Sequence, residues 1–368
     1  MPQYHQRLAG DPLPHVTQRT ASKERFNLGA AAGRYIVICL MGPAANPALP
    51  GLHRVAARAD LFNDAFASLF VACTDPAGAA ALPPERRGFR VFQDDDLTVS
   101  RALGAAPMDT GNATPYRMLW IIADPMLRII DTLPCRSDGK DAAAVIERLE
   151  NLPPPERATG IVLQAPILYL PRVFEPALCA ELISRYTQAG GEVSGFMRAV
   201  DGKTVGMHDP AFKSRRDHVI TDQPLIKRLQ DRILRRVVPE IARAHAFHVT
   251  RMERYIVSCY RADEGGHFAA HRDNTTPGTA HRRFAISINL NEDFEGGEVS
   301  FPEYGPQGFK APRGGAVVFS CSLLHRVSAV TCGERYAFLP FVYDETAAAL
   351  RAENMHTVER DTEKTSSR

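Results

Sequence analysis

The feature that most constrains this 368-residue chain is a His-x-Asp triplet with a distant third histidine. His271 and Asp273 stand two residues apart, and His325 follows the β-branched run that Gly314-Gly315 opens. In an extended strand alternate side chains share a face, so His271 and Asp273 point the same way. The run before His325 is typical of a second strand. The pattern therefore predicts a sheet-based fold in which two strands converge on one site.

Two imidazoles and one carboxylate form a metal-binding set. They occupy one face of an octahedral ion and leave the opposite positions open, an arrangement associated with non-haem Fe(II) oxygenases. Arg335 follows His325 by ten residues, and its permanently charged guanidinium can grip a carboxylate with two parallel hydrogen bonds. We therefore interpret His271, Asp273 and His325 as the metal ligands, which are also the catalytic centre, and Arg335 as an anion-binding group.

The segments around these side chains resemble the 2-oxoglutarate- and Fe(II)-dependent dioxygenases, most closely the prolyl-hydroxylase branch. The resemblance covers roughly residues 165–345, and its clearest stretches are residues 255–260, 265–274, 287–291, 295–298 and 333–337. It implies a double-stranded β-helix, which is a jelly-roll barrel, with flanking helices packed outside. It also implies Fe(II), 2-oxoglutarate as cosubstrate and ascorbate as reductant. The implied reaction hydroxylates an unactivated C–H bond, with succinate and CO2 as co-products.

The resemblance assigns further roles around the metal. Arg335 is expected to bind the far carboxylate of 2-oxoglutarate, and Tyr260 aligns with a tyrosine that lines the cosubstrate pocket. Asn289 stands where that branch often has a second tyrosine. We therefore expect the far carboxylate to be held by fewer or different partners than in that branch.

Candidate substrate contacts lie in two places. Residues 195–218 are the least patterned stretch of this domain and are long enough to form a lid, so Arg215, Arg216 and His218 are candidates there. His267, four residues before His271, faces the same cavity if strand parity holds. It is either a residue on the substrate side or a loop histidine.

Three functions remain open for this part of the chain. The first is a hydroxylase acting on proline or on a prolyl residue of a protein or peptide. The second is a hydroxylase of a small, free amino-acid-like metabolite. The third is a non-catalytic metal-binding jelly roll that serves as a scaffold or sensor. Arg335 argues against the third, because a scaffold has no need to hold a dianionic cosubstrate.

The N-terminal half alternates strand and helix patterns, which favours an α/β sheet sandwich. Residues 35–40 and 69–73 are predicted to be buried strands, and residues 119–130 a hairpin. This half resembles the thioredoxin-like fold in its peroxiredoxin variety. The resemblance rests on the strand running into Gly42-Pro43, on residues 92–97 before a helix ending in Gly104, and on the Asp124-Pro125 hairpin.

A peroxiredoxin carries its reactive cysteine in the loop after the first strand, but residues 42–52 contain no cysteine. Because a thiolate is the required nucleophile, we do not expect a peroxidase. We interpret this half as a docking, substrate-recruiting or dimerising module, so that a homodimer would form through it.

The expected organisation starts with a flexible N-terminus, residues 1–14, and a non-catalytic thioredoxin-like domain, residues 15–152. A Pro-rich linker follows at residues 153–160, because three consecutive prolines cannot continue a helix. The dioxygenase domain then covers residues 161–345 and includes an amphipathic helix from about Pro224 towards Ala244. A polar tail, residues 346–368, ends the chain.

Composition excludes some partners. The formal net charge of +2 gives no reason to expect nucleic acid, and no stretch approaches the ~20 apolar residues that a membrane-spanning helix needs. The seven cysteines show no Cys-x-x-Cys spacing, and several lie in apolar runs as buried free thiols do. We therefore expect a cytoplasmic protein.

Overall fold

The computed structural model describes residues 3–42, 49–75, 79, 82–108, 115–200 and 202–358. The chain divides into two compact units, residues 1–164 with 302–306 and residues 165–301 with 307–368. The predicted linker, residues 153–160, lies within the first unit. Within the described residues, none of the helices has the length and apolarity that crossing a bilayer requires.

The first unit is an α/β structure built on a mixed sheet. Its elements are β1 (Thr17–Gln18), β2 (Phe26–Asn27), β3 (Tyr35–Gly42), α1 (Leu49–Ala56), β4 (Ala67–Cys73), β5 (Phe89–Gln93), α2 (Thr98–Ala102), β6 (Leu119–Ala123), β7 (Ile129–Pro134) and α3 (Lys140–Glu150). Among the described residues the sheet order is β5-β4-β3-β6-β7. Strands β3, β4 and β5 are parallel, whereas β6 and β7 are antiparallel to their neighbours. The thioredoxin-like expectation is confirmed.

Strand β3 is the centre of this unit. All eight of its residues are buried, because the sheet is covered on both faces, and such strands are continuous apolar runs. Cys39 lies in the middle of β3 and is fully buried. Burial, and then the neighbouring Cys135, raise the pKa of the Cys39 thiol well above its ordinary value. Of the predicted loop after β3, residues 42–52, residues 43–48 lie outside the described residues, and α1 begins at Leu49.

We expect the chain to show no thiol-dependent reduction of hydrogen peroxide above a buffer control. Cys39 on β3 and Cys73, which pairs with Gly42 at the end of β3, are both buried, and burial raises the pKa of each thiol. The measurement is peroxide consumption with excess dithiothreitol for the wild type and for Cys39→Ser. Catalytic consumption that disappears in Cys39→Ser would overturn this expectation.

The second unit consists of two facing sheets with helices outside. Its elements are β8 (Leu168–Leu170), α4 (Pro176–Ala189), β9 (Glu192–Val193), β10 (Phe196–Val200), β11 (Lys203–Met207), β12 (Lys213–Ser214), β13 (Arg216–Val219), α5 (Gln223–Arg236), α6 (Val238–His245), β14 (Arg251–Glu253), β15 (Ile256–Arg261), β16 (His267–His271), β17 (Phe284–Asn289), β18 (Phe294–Gly296), β19 (Val299–Ser300), β20 (Gly308–Phe309), β21 (Ala316–Ser320), β22 (His325–Val327), β23 (Val330–Phe338), β24 (Phe341–Tyr343) and α7 (Glu345–Asn354).

Within the described residues, the smaller sheet has the order β12-β16-β22-β19-β20, and the larger one runs β14-β24-β17-β23-β15-β13-β9. Strand β21 adds to the larger sheet beside β17 and continues to β8. The jelly-roll prediction is confirmed. Helices α4 and α5 pack on the outer face of the larger sheet, where Leu182, Leu229 and Ile233 join Ile286 and Phe338 in one apolar core.

Two local predictions were wrong. The helix expected from Pro224 to Ala244 is interrupted, since α5 ends at Arg236 and α6 starts at Val238. Pro239 lies in the first turn of α6, where a residue without a backbone N–H is tolerated, whereas inside a longer helix it would remove a hydrogen bond.

The second concerns residues 195–218, which we interpreted as the least patterned stretch of the domain and as long enough to form a lid. Strands β10 and β11 form an antiparallel hairpin there. Strand β12 belongs to the smaller sheet, where it pairs with β16, and β13 belongs to the larger sheet, where it pairs with β15. Phe196 in the hairpin packs on Phe212, and Phe212 in turn packs on Phe268 of β16. Aromatic contacts over long sequence distances order this segment, and local periodicity cannot reveal them.

Candidate active site

His271, Asp273 and His325 meet at the smaller sheet. His271 at the end of β16 is the direct cross-strand partner of His325 at the start of β22. Asp273 follows β16, and its backbone N–H donates to the Cys321 carbonyl at 3.0 Å. The Nε2 atoms of His271 and His325 lie 3.5 Å and 3.3 Å from the Asp273 carboxylate oxygens. One ligand atom from each residue lies within 4.8 Å of the others, a spacing that can hold a metal ion.

Hydrogen bonds fix which nitrogen of each imidazole faces this point. Nδ1 of His271 donates to the Ala269 carbonyl at 2.7 Å, and Nδ1 of His325 donates to the Leu323 carbonyl at 3.0 Å. Each Nε2 therefore keeps its lone pair for a metal. Burial first, and His271 second, lower the pKa of His325 to about 4, so its ring is neutral at pH 7.

Asp273 supplies the negative charge of this set. Burial alone would raise its pKa, but His325 and His271 hold the pKa of its carboxyl well below the usual value. The carboxylate is therefore ionised at neutral pH, as a metal ligand must be. Two imidazoles and one carboxylate suit a divalent transition metal and fit Fe(II).

A cavity of about 480 Å³ of empty space, part of it open to solvent, lies between the two sheets at this point. The smaller sheet contributes the three candidate ligands, and the larger one contributes Tyr260, Ser287 and Arg335. Apolar side chains form much of the remaining wall: Phe268, Val299, Phe319, Val327, Leu339 and Phe341.

Arg335 is the most unusual of these side chains. It is 2% exposed, and no ion pair with a carboxylate is found for it among the described residues. Nε donates to Asn289 Oδ1 at 3.0 Å and one Nη donates to Ser287 Oγ at 2.8 Å. The other, Nη1, is buried and makes no hydrogen bond within the described part of the chain. A buried, unpaired guanidinium is costly and implies an absent anion.

Strand register explains how Arg335 is positioned. Tyr260 of β15 is its direct cross-strand partner, and the Arg335 guanidinium lies 5.1 Å from the centre of the Tyr260 ring. Asn289 is buried, and its Nδ2 donates to the Ala311 carbonyl at 2.7 Å while its Oδ1 accepts from Arg335. Asn289 thus orients Arg335 and is not one of the residues that line the cavity.

The four candidate substrate residues separate into two groups. Arg215 lines the cavity, and its Nη1 donates to the Tyr260 hydroxyl at 3.2 Å. Arg216 is the next residue along the chain, so its side chain points to the opposite face, where it forms an ion pair with Glu264 at 3.0 Å. Neither Arg216 nor His218, which has the same parity, lines the cavity.

His267 also lies away from the cavity. Its ring nitrogens face two backbone carbonyls outside the cavity, with Nδ1 lying 2.8 Å from the Gly265 oxygen and Nε2 lying 3.2 Å from the Ala211 oxygen. Pairing between β16 and β22 shifts register between Phe268 and His271, so those two residues share the cavity side. A bulge of this kind inserts a residue and reverses the alternation, which strand parity alone does not predict.

Two polar residues that line the cavity were missed in the sequence. Ser287 precedes Asn289 by two residues on β17 and so shares its face, a signal that strand alternation did contain. Arg254 follows β14 in a left-handed backbone conformation with φ of 64°. Nothing in the sequence pattern marks that turn, and Arg254 is identified only by the structure.

Comparison with known proteins agrees with this geometry. Residues 255–343 match the sequence model of the 2OG-Fe(II) oxygenase superfamily. A PKHD-type hydroxylase of Paracoccus denitrificans is 34% identical over 150 residues, which are 38% of this chain. The chain spans 64% of the length of that relative.

Solved structures resemble each half separately. A prolyl hydroxylase from Trichoplax adhaerens, in complex with a hypoxia inducible factor peptide fragment, covers 56% of this chain and 94% of its own, with 17% identity and a TM-score of 0.42. Peroxiredoxin Q of Xanthomonas campestris covers 37% of this chain and 89% of its own, with 17% identity and a TM-score of 0.31. Both TM-scores are below 0.5, and the folds are assigned from the strand orders given above.

Proposed function

We propose that this chain, whose residues 255–343 carry a 2OG-Fe(II) oxygenase domain, is a 2-oxoglutarate-dependent dioxygenase that hydroxylates an unactivated C–H bond. The observation that carries the proposal is Arg335. Its buried guanidinium lines the same cavity as His271, Asp273 and His325 and has a free Nη1 donor. A site that only holds a metal gains nothing from an uncompensated buried cation.

The proposed ligand set accounts for both ends of 2-oxoglutarate. His271, Asp273 and His325 would hold Fe(II) and leave sites for the 2-oxo and C1 carboxylate oxygens. Arg335 would pair with the far carboxylate, with Ser287 and Asn289 fixing the orientation of the guanidinium. The Tyr260 ring packs against Arg335 and keeps its plane in place.

When bound, Fe(II) and 2-oxoglutarate supply the activation of O2. One oxygen atom enters the substrate as hydroxyl and the other enters succinate, while C1 of 2-oxoglutarate leaves as CO2. The chain's own contribution is to orient the reactants and exclude water. Phe268, Val299, Phe319 and Val327 form the apolar wall that does so.

We propose proline, or a prolyl residue of a protein or peptide, as the substrate, with a small amino-acid-like metabolite as the second candidate. The first is supported by the resemblance to the prolyl-hydroxylase branch, and the second by the basic side chain of Arg215 in the cavity. Ascorbate would serve as reductant. The first unit would act as a docking, recruiting or dimerising module.

The proposal is tested with the purified chain, Fe(II) and 2-oxoglutarate in a small-molecule and peptide extract. Mass spectrometry should find products that gain one oxygen atom only when 2-oxoglutarate is present, together with succinate. Chelation of the metal should stop both. Succinate that forms equally with chelated metal, or no succinate under any condition, would contradict the proposal.

We expect Ser287→Ala to raise the 2-oxoglutarate concentration for half-maximal succinate formation roughly 10-fold, because a hydrogen bond from a charged donor is lost. Ser300→Ala is the matched control, since Ser300 Oγ accepts a hydrogen bond from Arg326, which does not line the cavity. If Ser287→Ala and Ser300→Ala need the same 2-oxoglutarate concentration for half-maximal succinate formation, Ser287 does not support the cosubstrate site.

A further inference from the structure

A cluster of basic side chains forms another part of the cavity wall, apart from Arg335. It consists of Arg215, Arg254 and the adjacent Lys213, with Asp217 as its acid. Arg215 and Lys213 are buried, whereas the side chain of Arg254 is 30% exposed. Arg254 can therefore be reached by a ligand that enters the cavity.

The charge of Asp217 is already engaged. Its Oδ2 accepts from Arg215 Nη2 at 2.7 Å and from the Ser194 hydroxyl at 2.5 Å, and its Oδ1 accepts from the Ser258 hydroxyl at 2.6 Å. Arg254 Nη2 lies 3.6 Å from Oδ2, too far for a hydrogen bond. In the described part of the chain, Arg254 makes no hydrogen bond through its side chain.

The cluster therefore has an unmatched positive charge. Burial first, and Arg215 second, lower the pKa of Lys213 to about 5, so this amine is neutral at pH 7. Arg215 and Arg254 then face one carboxylate. Arg215 Nε is also buried without a hydrogen-bond partner among the described residues. When Fe(II) and 2-oxoglutarate are bound, their charges and those of Asp273 and Arg335 sum to zero. The surplus positive charge at Arg254 therefore remains.

The position of Arg254 is held by the fold. Its φ of 64° is a conformation that residues with a side chain seldom adopt and that costs free energy. Its guanidinium lies 5.3 Å from the centre of the Phe341 ring, and Phe341 also lines the cavity. A guanidinium that is backed by an aromatic ring and has free donors is suited to a carboxylate.

We propose that Arg254, with Arg215 beside it, binds a carboxylate of the substrate. Of the candidate substrates named above, this selects a small free carboxylic acid of amino-acid type, such as proline itself, over a prolyl residue within a polypeptide. This inference rests on the proposed function, because it takes the oxidised carbon to lie at the metal in the same cavity. Arg254 and Arg215 line the same cavity as His271, Asp273 and His325, so a carboxylate at Arg254 and a carbon at the metal can belong to one small molecule. An internal residue of a polypeptide has no such carboxylate on its main chain.

The test measures binding by ligand-observed NMR, with Zn(II) in place of Fe(II) and 2-oxoglutarate just above stoichiometric. The probes are acetate, L-proline and L-prolinamide, in which a neutral amide replaces the carboxylate of L-proline. Acetate and L-proline should bind the wild type saturably, and L-prolinamide should bind more weakly. Arg254→Gln should weaken binding of both carboxylates by roughly 10- to 100-fold, and Arg254→Lys should recover part of it.

Arg282→Gln is the matched control. Arg282 lies 4.1 Å from the centre of the same Phe341 ring but pairs with Glu253 and does not line the cavity. The Arg282→Gln variant should bind acetate and L-proline as tightly as the wild type does. Absence of saturable carboxylate binding in the wild type, or equal binding in Arg254→Gln, would overturn the inference.

The visible band of the anaerobic Fe(II)–2-oxoglutarate complex separates this result from the proposed function. A wild type with the band but without carboxylate binding refutes only the inference. A wild type without the band refutes the proposed function. Loss of the band in Arg254→Gln would place Arg254 at the cosubstrate and also overturn the inference.

Discussion

Replacing either His271 or His325 with alanine is expected to abolish Fe(II)-dependent formation of succinate from 2-oxoglutarate. These two imidazoles and Asp273 are the whole of the ligand set that the described residues offer at this point. Asp273→Glu should fail as well, because the longer side chain moves its oxygen while the backbone of Asp273 stays fixed on Cys321. The measurement is succinate formation together with bound iron per chain.

The control for these variants is His248→Ala, which removes an exposed histidine. It should keep both the iron content and the rate of the wild type. Unchanged turnover in His271→Ala, His325→Ala or Asp273→Glu would refute the proposed ligand set.

Replacing Arg335 with alanine is expected to raise the 2-oxoglutarate concentration for half-maximal activity by roughly 30-fold or more while iron binding persists. Loss of a buried, charge-assisted pair commonly costs about 2–5 kcal/mol. Arg335→Lys should recover only part of this, because an ammonium keeps the charge but not the planar pair of donors that Ser287 and Asn289 orient. Succinate formation is measured over a range of 2-oxoglutarate concentrations.

Arg326→Ala provides the comparison for this substitution. Arg326 is an exposed guanidinium directly after His325, and it is not a cavity residue. Its removal should leave the half-saturating concentration unchanged. The same concentration for Arg335→Ala as for Arg326→Ala would make Arg335 a structural residue and would remove the main support for the cosubstrate site.

The sequence predicted the parts of the site that depend on short-range spacing. The His-x-Asp spacing predicted that His271 and Asp273 come together, although Asp273 lies in the turn after β16 and not on the strand itself. The strand pattern before His325 predicted the second strand. The family resemblance identified Arg335 and Tyr260, which the structure places as direct cross-strand partners. It also drew attention to Asn289, which orients Arg335 from outside the cavity.

Other features depend on contacts that are distant in sequence. The bulge in β16 turns His267 away from the cavity and turns Phe268 towards it. The hairpin of β10 and β11 is held by packing on Phe212. Its sequence has no clear periodicity, so this contact could not be predicted from the residues alone. Arg254 enters the cavity from an irregular turn, where neither strand nor helix periodicity applies.

The most direct test of the dioxygenase assignment is the anaerobic addition of 2-oxoglutarate to the Fe(II)-loaded chain, followed by visible absorption. Chelation of Fe(II) by the 2-oxo acid gives a weak charge-transfer band. We predict a band that saturates at one 2-oxoglutarate per chain in the wild type and that requires far more 2-oxoglutarate in Arg335→Ala. An iron-loaded wild type that develops no band at any 2-oxoglutarate concentration would contradict the assignment.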